Sequence, residues 1–139
     1  MGTTERTGVG RPFTGARSAA MPVDVVGVGA NSIDFVYRLP AYPRPDSAFA
    51  KLPITEHWIS CGGQVTTALA TCAAMGLSTS YIGTIGSDAH GRRMRDELQR
   101  RGIDLSHAIT RDAGNPFAVI LVDDREGERV VLWHRDPRL

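Results

Sequence analysis

Two stretches carry residue types suited to chemistry. "ANSIDF" places Asn31, Ser32 and Asp34 directly after the glycine-closed apolar run "VDVVGVG". An aspartate there can accept hydrogen bonds from two neighbouring hydroxyls, which is what a polyol or sugar requires. It can equally cap the local turn. "SCGGQVTTALATCAAMG", from Ser60 to Gly76, opens a helix on Gly62 and Gly63. Adjacent glycines serve either a tight turn or the close approach of a ligand oxygen to helix amides that lack partners. Thr66 and Thr67, in the first turn, could face that ligand or return a hydrogen bond to the preceding turn.

Other chemistries find less support. "GVGANS", from Gly27 to Ser32, has a serine where a dinucleotide-binding turn needs its third glycine, and Pro40 cuts off the helix that should follow. His57, His90, His107 and His134 are scattered, with none at metal-ligand spacing from another, and read as solvated or locally bonded side chains. Cys61 and Cys72, eleven positions apart, fit neither a metal site nor a disulfide framework; reduced thiols suit a cytoplasmic location.

The elements that must position these residues follow from pattern. Val23–Gly29 reads as a buried parallel strand. "YRLPAYPRPDS", with prolines at 40, 43 and 45, reads as a loop or sheet edge. Phe49–Ser60 holds enough apolar residues for one or two short peripheral strands. The helix after the glycine pair carries Val65, Ala68, Leu69, Cys72 and Ala73 at the spacing of a buried stripe, and Gly76 suits its C′ position. "STSYIGTIG" reads as a second buried strand. A further helix is capped by Ser87 or Asp88 and ends with Arg100 and Arg101 before Gly102, in agreement with the helix dipole. "HAIT", "PFAVILVDD" and "ERVVLWH" supply three more strands, the last two joined by a hairpin-like "DDREGE". Helices alternating with apolar strands predict an α/β sheet with paired strands added to it.

A chain of 139 residues can build one core; 42% hydrophobic and 22% charged residues fit a soluble globular protein. Sixteen basic against fifteen acidic side chains, interspersed, give no electrostatic case for nucleic acid or an anionic membrane. Residues 1–21, polar and lacking an apolar signal or membrane segment, are expected to be a disordered tail ahead of a single unit over 22–139.

Taken in order, these features resemble the N-terminal portion of the ribokinase-like, PfkB-type carbohydrate kinases. The apolar first strand with Asp34 beyond it, a Pro-containing flap, the Gly-Gly helix and "YIGTIGSDAHGRRMRDELQRRGID" carry the resemblance. It implies a partial doubly wound sheet with a small β-sheet lid, formed by segments around Phe49–Ser60 and Phe117–His134. It also implies a sugar pocket in which Asp34, with Ser32 and Ile33 beside it, binds hydroxyls, and Gly62, Gly63 and Gln64 line the floor. Thr67 stands where the family signature usually has asparagine. The family's ATP and Mg2+ sites, and the aspartate of its Gly-x-Gly-Asp turn that acts as base, are expected outside this chain, leaving it without catalytic residues of its own. The expectation is therefore the sugar-binding part of an ATP-dependent carbohydrate kinase, inactive alone and pairing into a homodimer through its lid; a non-catalytic sugar-binding or dimerisation module is the alternative.

Overall fold

The computed structural model describes residues 22–46 and 48–139. The tail over residues 1–21, expected to be disordered, lies outside the described residues. In chain order the elements are β1 (Val25–Val28), β2 (Ser32–Leu39), β3 (Glu56–Gly62), α1 (Gln64–Ala74), β4 (Thr79–Ile82), β5 (Thr84–Gly86), α2 (Ala89–Arg100), β6 (Ile109–Arg111), β7 (Phe117–Asp123) and β8 (Arg129–His134).

Two layers result. In the first, β1 pairs in parallel with β4 and β5 in parallel with β6, and the isolated bridge Ser80–Asp104 continues the parallel pattern. Helix α1 closes down on β1 because Gly27 has no side chain: a Cβ there would stand 2.7 Å from Leu69 and Val65. The fully buried side chains of Leu69, Tyr81, Ile85, Met94 and Leu98 form the core between helices and strands, and Ile33 of β2 joins them. The second layer is a four-stranded sheet in the order β3-β2-β7-β8, with β2 parallel to β7 and the two outer pairings antiparallel. Its strand β2 starts in the core at Ile33 and runs outward, which is how the lid is rooted.

The helix ends are set by local chemistry. Gly76, at φ +88°, occupies the left-handed position beyond α1. Asp88 caps α2 by accepting from the Gly91 amide at 2.8 Å, and Arg100 sits in the last turn.

Three details depart from the sequence-based expectations. Tyr37–Leu39 belong to β2, an interior strand of the lid rather than a loop or edge, because the prolines begin only at Pro40. The run "STSYIGTIG" divides into β4 and β5 at Gly83, where a side chain would strike the Tyr81 hydroxyl and the Gly29 carbonyl. Residues 49–60 supply one strand, within the one or two expected, preceded by a 3-10 turn at Ala48–Ala50. On α1, Ala68 is exposed and Thr66 is buried, so the buried stripe is narrower than its spacing suggested.

Candidate functional site

The antiparallel pairing of β2 with β3 sets Ser32 opposite Gly62 and Asp34 opposite Ser60, with Ser32 and Asp34 on one face. The Ser32 hydroxyl donates to Asp34 Oδ1 at 2.9 Å. A Cβ at Gly62 would stand 2.0 Å from Asp34 Oδ2, so this glycine is the space the carboxylate occupies. Its neighbour Gly63 has φ +96°, and a Cβ there would meet the Asn31 backbone at 2.7 Å. Gly63 makes the turn of the first reading, whereas the close approach at Gly62 is made by the Asp34 side chain of the same protein and not by a ligand oxygen. Gly63 is the N-cap of α1, and no side chain caps the helix. The positive end of its dipole lies at Gly63, one residue from the Gly62 on which the Asp34 carboxylate packs.

Ser32, Gly63 and Gln64 line a cleft of about 540 Å³ whose opposite wall is Trp133, His134 and Arg135 from the end of β8 and just beyond. Asn31, 2% exposed, also lines it. The Asn31 amide donates through Nδ2 to the Tyr81 hydroxyl at 3.0 Å and to the Thr84 carbonyl at 2.7 Å. Tyr81 donates in turn to the Gly29 carbonyl at 2.7 Å; burial pushes its phenol pKa up, with the Asn31 bond opposing. These bonds tie the end of β1 to β4 and leave Asn31 Oδ1 without a partner.

The two threonines part company. Thr66 is buried and its hydroxyl returns a hydrogen bond to the Gly62 carbonyl at 2.5 Å, the bond to the preceding turn. Thr67 is exposed and borders a different groove, of about 330 Å³ between α1 and α2, together with Cys61, Glu97 and Arg101. Thus Ser32, Gly63 and Gln64 share the cleft, Asp34 and Gly62 pack against each other beside it, and Thr67 stands outside it. The half-buried Cys61 thiol has its pKa raised by burial first and by the charge of Glu97 second.

His90 and His134 stack with phenylalanines instead of standing free. Ring centroids lie 5.3 Å apart for Phe35–His90, 5.5 Å for His90–Phe117 and 5.2 Å for Phe117–His134. Both His90 pairs are edge-to-face and Phe117–His134 is tilted, and the cluster joins the N-terminus of α2 to the root of the lid. Trp133, His134 and Arg135 were not singled out as site residues from the sequence. Their place depends on the register that sets His134 opposite Phe117, which in turn lies beside Ile33. Among the described residues no three His, Cys, Asp or Glu side chains could together hold a metal ion, so the Mg2+ implied by the resemblance finds no such ligand set here. No described helix is long and apolar enough to cross a membrane.

A four-stranded sheet rooted beside a glycine-started helix frames the cleft, and comparison with known proteins gives the family. The chain belongs to the PfkB family: the pfkB family carbohydrate kinase model matches residues 42–138. It is 28% identical over 102 residues to a nucleoside kinase of Methanothermobacter thermautotrophicus, covering 72% of this chain and 32% of that protein. It is 33% identical over 90 residues to a fructokinase of Salmonella typhimurium, covering 63% of this chain and 29% of that one. Among solved structures, a protein from Agrobacterium tumefaciens described as a candidate ribokinase superposes with a TM-score of 0.73 at 29% identity, covering 83% of this chain and 37% of that chain. The fold is therefore ribokinase-like, and the chain spans about a third of the length of these relatives.

Proposed function

We propose that residues 22–139 are the acceptor-binding and lid part of an ATP-dependent carbohydrate kinase, with a small polyol or sugar held between Asp34 and the start of α1. The observation that carries this reading is the contact of carboxylate with glycine, 2.0 Å from Asp34 Oδ2 to the position a Gly62 Cβ would take. It fixes a charged acceptor at the mouth of an open helix N-terminus. A ligand hydroxyl donating to Asp34 forms a charge-assisted hydrogen bond, while the amides of α1 receive a second oxygen. Closure of the lid would exclude the water that competes for the phosphoryl group.

In the whole reaction the terminal phosphoryl of ATP moves to the acceptor hydroxyl oxygen, the bond to ADP breaks, and the hydroxyl proton passes to a base. We assign that base, the nucleotide site and Mg2+ to residues beyond this sequence, so the chain alone binds acceptor without turning over. A cytoplasmic location belongs to the same reading.

A non-catalytic sugar-binding or dimerisation module is the second reading, and an observation favours its assembly part. The lid register puts Phe35, Ile59, Val119, Leu121, Val130 and Leu132 on one side of the sheet, and Ile59, Val130 and Leu132 are 40–55% exposed. That face suits pairing with a second copy in either reading.

Isothermal titration calorimetry with D-ribose, D-fructose and adenosine tests the principal reading. Binding of one of them by the chain, lost in Asp34→Asn while thermal unfolding is unchanged, is the expected result. Robust ATP turnover by this polypeptide alone, or acceptor affinity indifferent to Asp34→Asn, would overturn it.

A further inference from the structure

The cleft beside Asp34 has a second, cationic end. We infer that Arg135 and the buried Asn31 amide select polyols carrying an anionic group, a carboxylate or a phosphate, over neutral sugars; this rests on the reading of the cleft as the acceptor site.

Arg135 lines the cleft across from Gly63 and Gln64. Its Cζ lies 5.8 Å from the centroid of the Trp133 ring, which holds the guanidinium against an aromatic face. Other arginines of the chain are committed: Arg38 to Glu56 and Asp124, Arg100 and Arg101 to Glu97, Arg138 to Asp136. Among the described residues Arg135 has no carboxylate within ion-pair distance, and no acidic side chain lines this cleft. The uncapped start of α1 adds positive partial charge to the same wall.

Asn31 supplies the complementary requirement. Both bonds of its Nδ2 are spent inside the protein, so the amide is held in one orientation and Oδ1 can only accept. A buried acceptor without a donor is costly, and a ligand hydroxyl would satisfy it. A neutral polyol answers Asn31 and leaves the guanidinium unanswered. A simple anion does the reverse. A molecule with hydroxyls at one end and an anionic group at the other answers both, and repulsion from the Asp34 carboxylate turns the anion toward Arg135. The forked guanidinium matches carboxylate and phosphate oxygens alike.

The test is calorimetry of this chain with D-ribose, D-ribonate and D-ribose 5-phosphate, at low and at physiological salt. At least one anionic ligand should bind about tenfold more tightly than D-ribose, the advantage narrowing as salt rises. Ribonate and the phosphate ester, run side by side, show which anion the fork prefers. In Arg135→Gln the ratio of anionic to neutral affinity should fall to about one, with Arg135→Lys between the two. Equal affinities in the wild-type chain, or a preference that survives Arg135→Gln, would overturn the inference while leaving acceptor binding at Asp34 intact. If none of the three ligands binds, the acceptor-site reading fails and the inference falls with it.

Discussion

The two layers of this molecule expose apolar residues in different ways. The lid leaves its edge strand β8 exposed on both faces, with Leu132 at 55% and Trp133 at 72% exposure, and its outer pairings are antiparallel, the geometry that tolerates solvent better. The parallel pair β1–β4 is covered by α1 on the face of Gly27 and Tyr81, while Val26 and Val28 of β1 stand 53% and 70% exposed on the other. Parallel strands are ordinarily buried on both faces. The lid's exposure is that of an edge strand, whereas β1 is buried on one face only and draws its stability from that side. Substitutions in the two regions should report on this asymmetry.

The largest effect is expected on the covered face. Leu69 is 1% exposed and packs over Gly27 with Tyr81 and Ile33 around it. Leu69→Ala should cost about 3 kcal/mol in urea unfolding, by lost transfer energy and the cavity left behind. With the opposite face uncovered, little reserve remains, and a cooperative transition that loses the lid and the helices together is the expected profile. A loss below about 1 kcal/mol would mean that the parallel layer is not the stability centre.

Gly62→Ala comes next and sits where the two regions meet. The added methyl must displace the Asp34 carboxylate, since the nearest oxygen is 2.0 Å from its position. Overpacking of this kind costs roughly 1–3 kcal/mol, and acceptor affinity should fall with it. If Gly62→Ala unfolds at the wild-type midpoint and binds acceptor as before, the carboxylate is not held against the glycine, and the proposed site loses its foundation.

How much of this could be read from the sequence depended on the range of the interaction involved. Local chemistry was legible: Asp88 as a cap, Gly76 as the end of α1, the glycine pair as a turn, and the strands of the hairpin on either side of Gly127. Binary pattern located β1, α1 and α2. It failed for Tyr37–Leu39, where nearby prolines hid the tail of a strand paired on both sides. It also failed for Ala68 and Thr66, whose burial is decided by how α1 is rolled against β1 and β3. Asp34 and the glycines could be named because they lie in recognisable local contexts. Trp133, His134 and Arg135 could not, because only the pairing of β8 with β7 brings them to the cleft, some seventy residues along the chain from Gly63.

A smaller effect, confined to acid, concerns the segment that follows the lid. Asp136 accepts from the Arg138 guanidinium at 2.7 Å and from the Gly114 amide at 2.9 Å, fastening the chain after β8 to the loop before β7. The Arg138 side chain first, then the amides of Gly114 and Arg138, hold its carboxyl well below the usual carboxylate range. A depressed pKa contributes stability that is present above the unfolded value of about 4 and is lost as pH falls through the folded one. The thermal midpoint of the wild-type chain should therefore drop more steeply between about pH 4 and pH 2 than that of Asp136→Asn. Parallel slopes would show that this fastening adds nothing to the lid's attachment.

The smallest effect is expected on the lid's edge strand β8, and there a near-zero result is the informative one. Leu132→Thr removes an exposed side chain from a strand whose residues are all exposed, and it introduces a β-branched residue suited to a sheet. Unfolding free energy should change by no more than about 0.5 kcal/mol. Sedimentation velocity, in contrast, should show less association, since Leu132 lies with Val130 and Ile59 on the face proposed to meet a second copy. Unchanged association with unchanged stability would make that face ordinary surface. A loss of stability comparable to that of Leu69→Ala would erase the contrast between the layers, because the lid would then be part of the core rather than a cover hinged on Ile33.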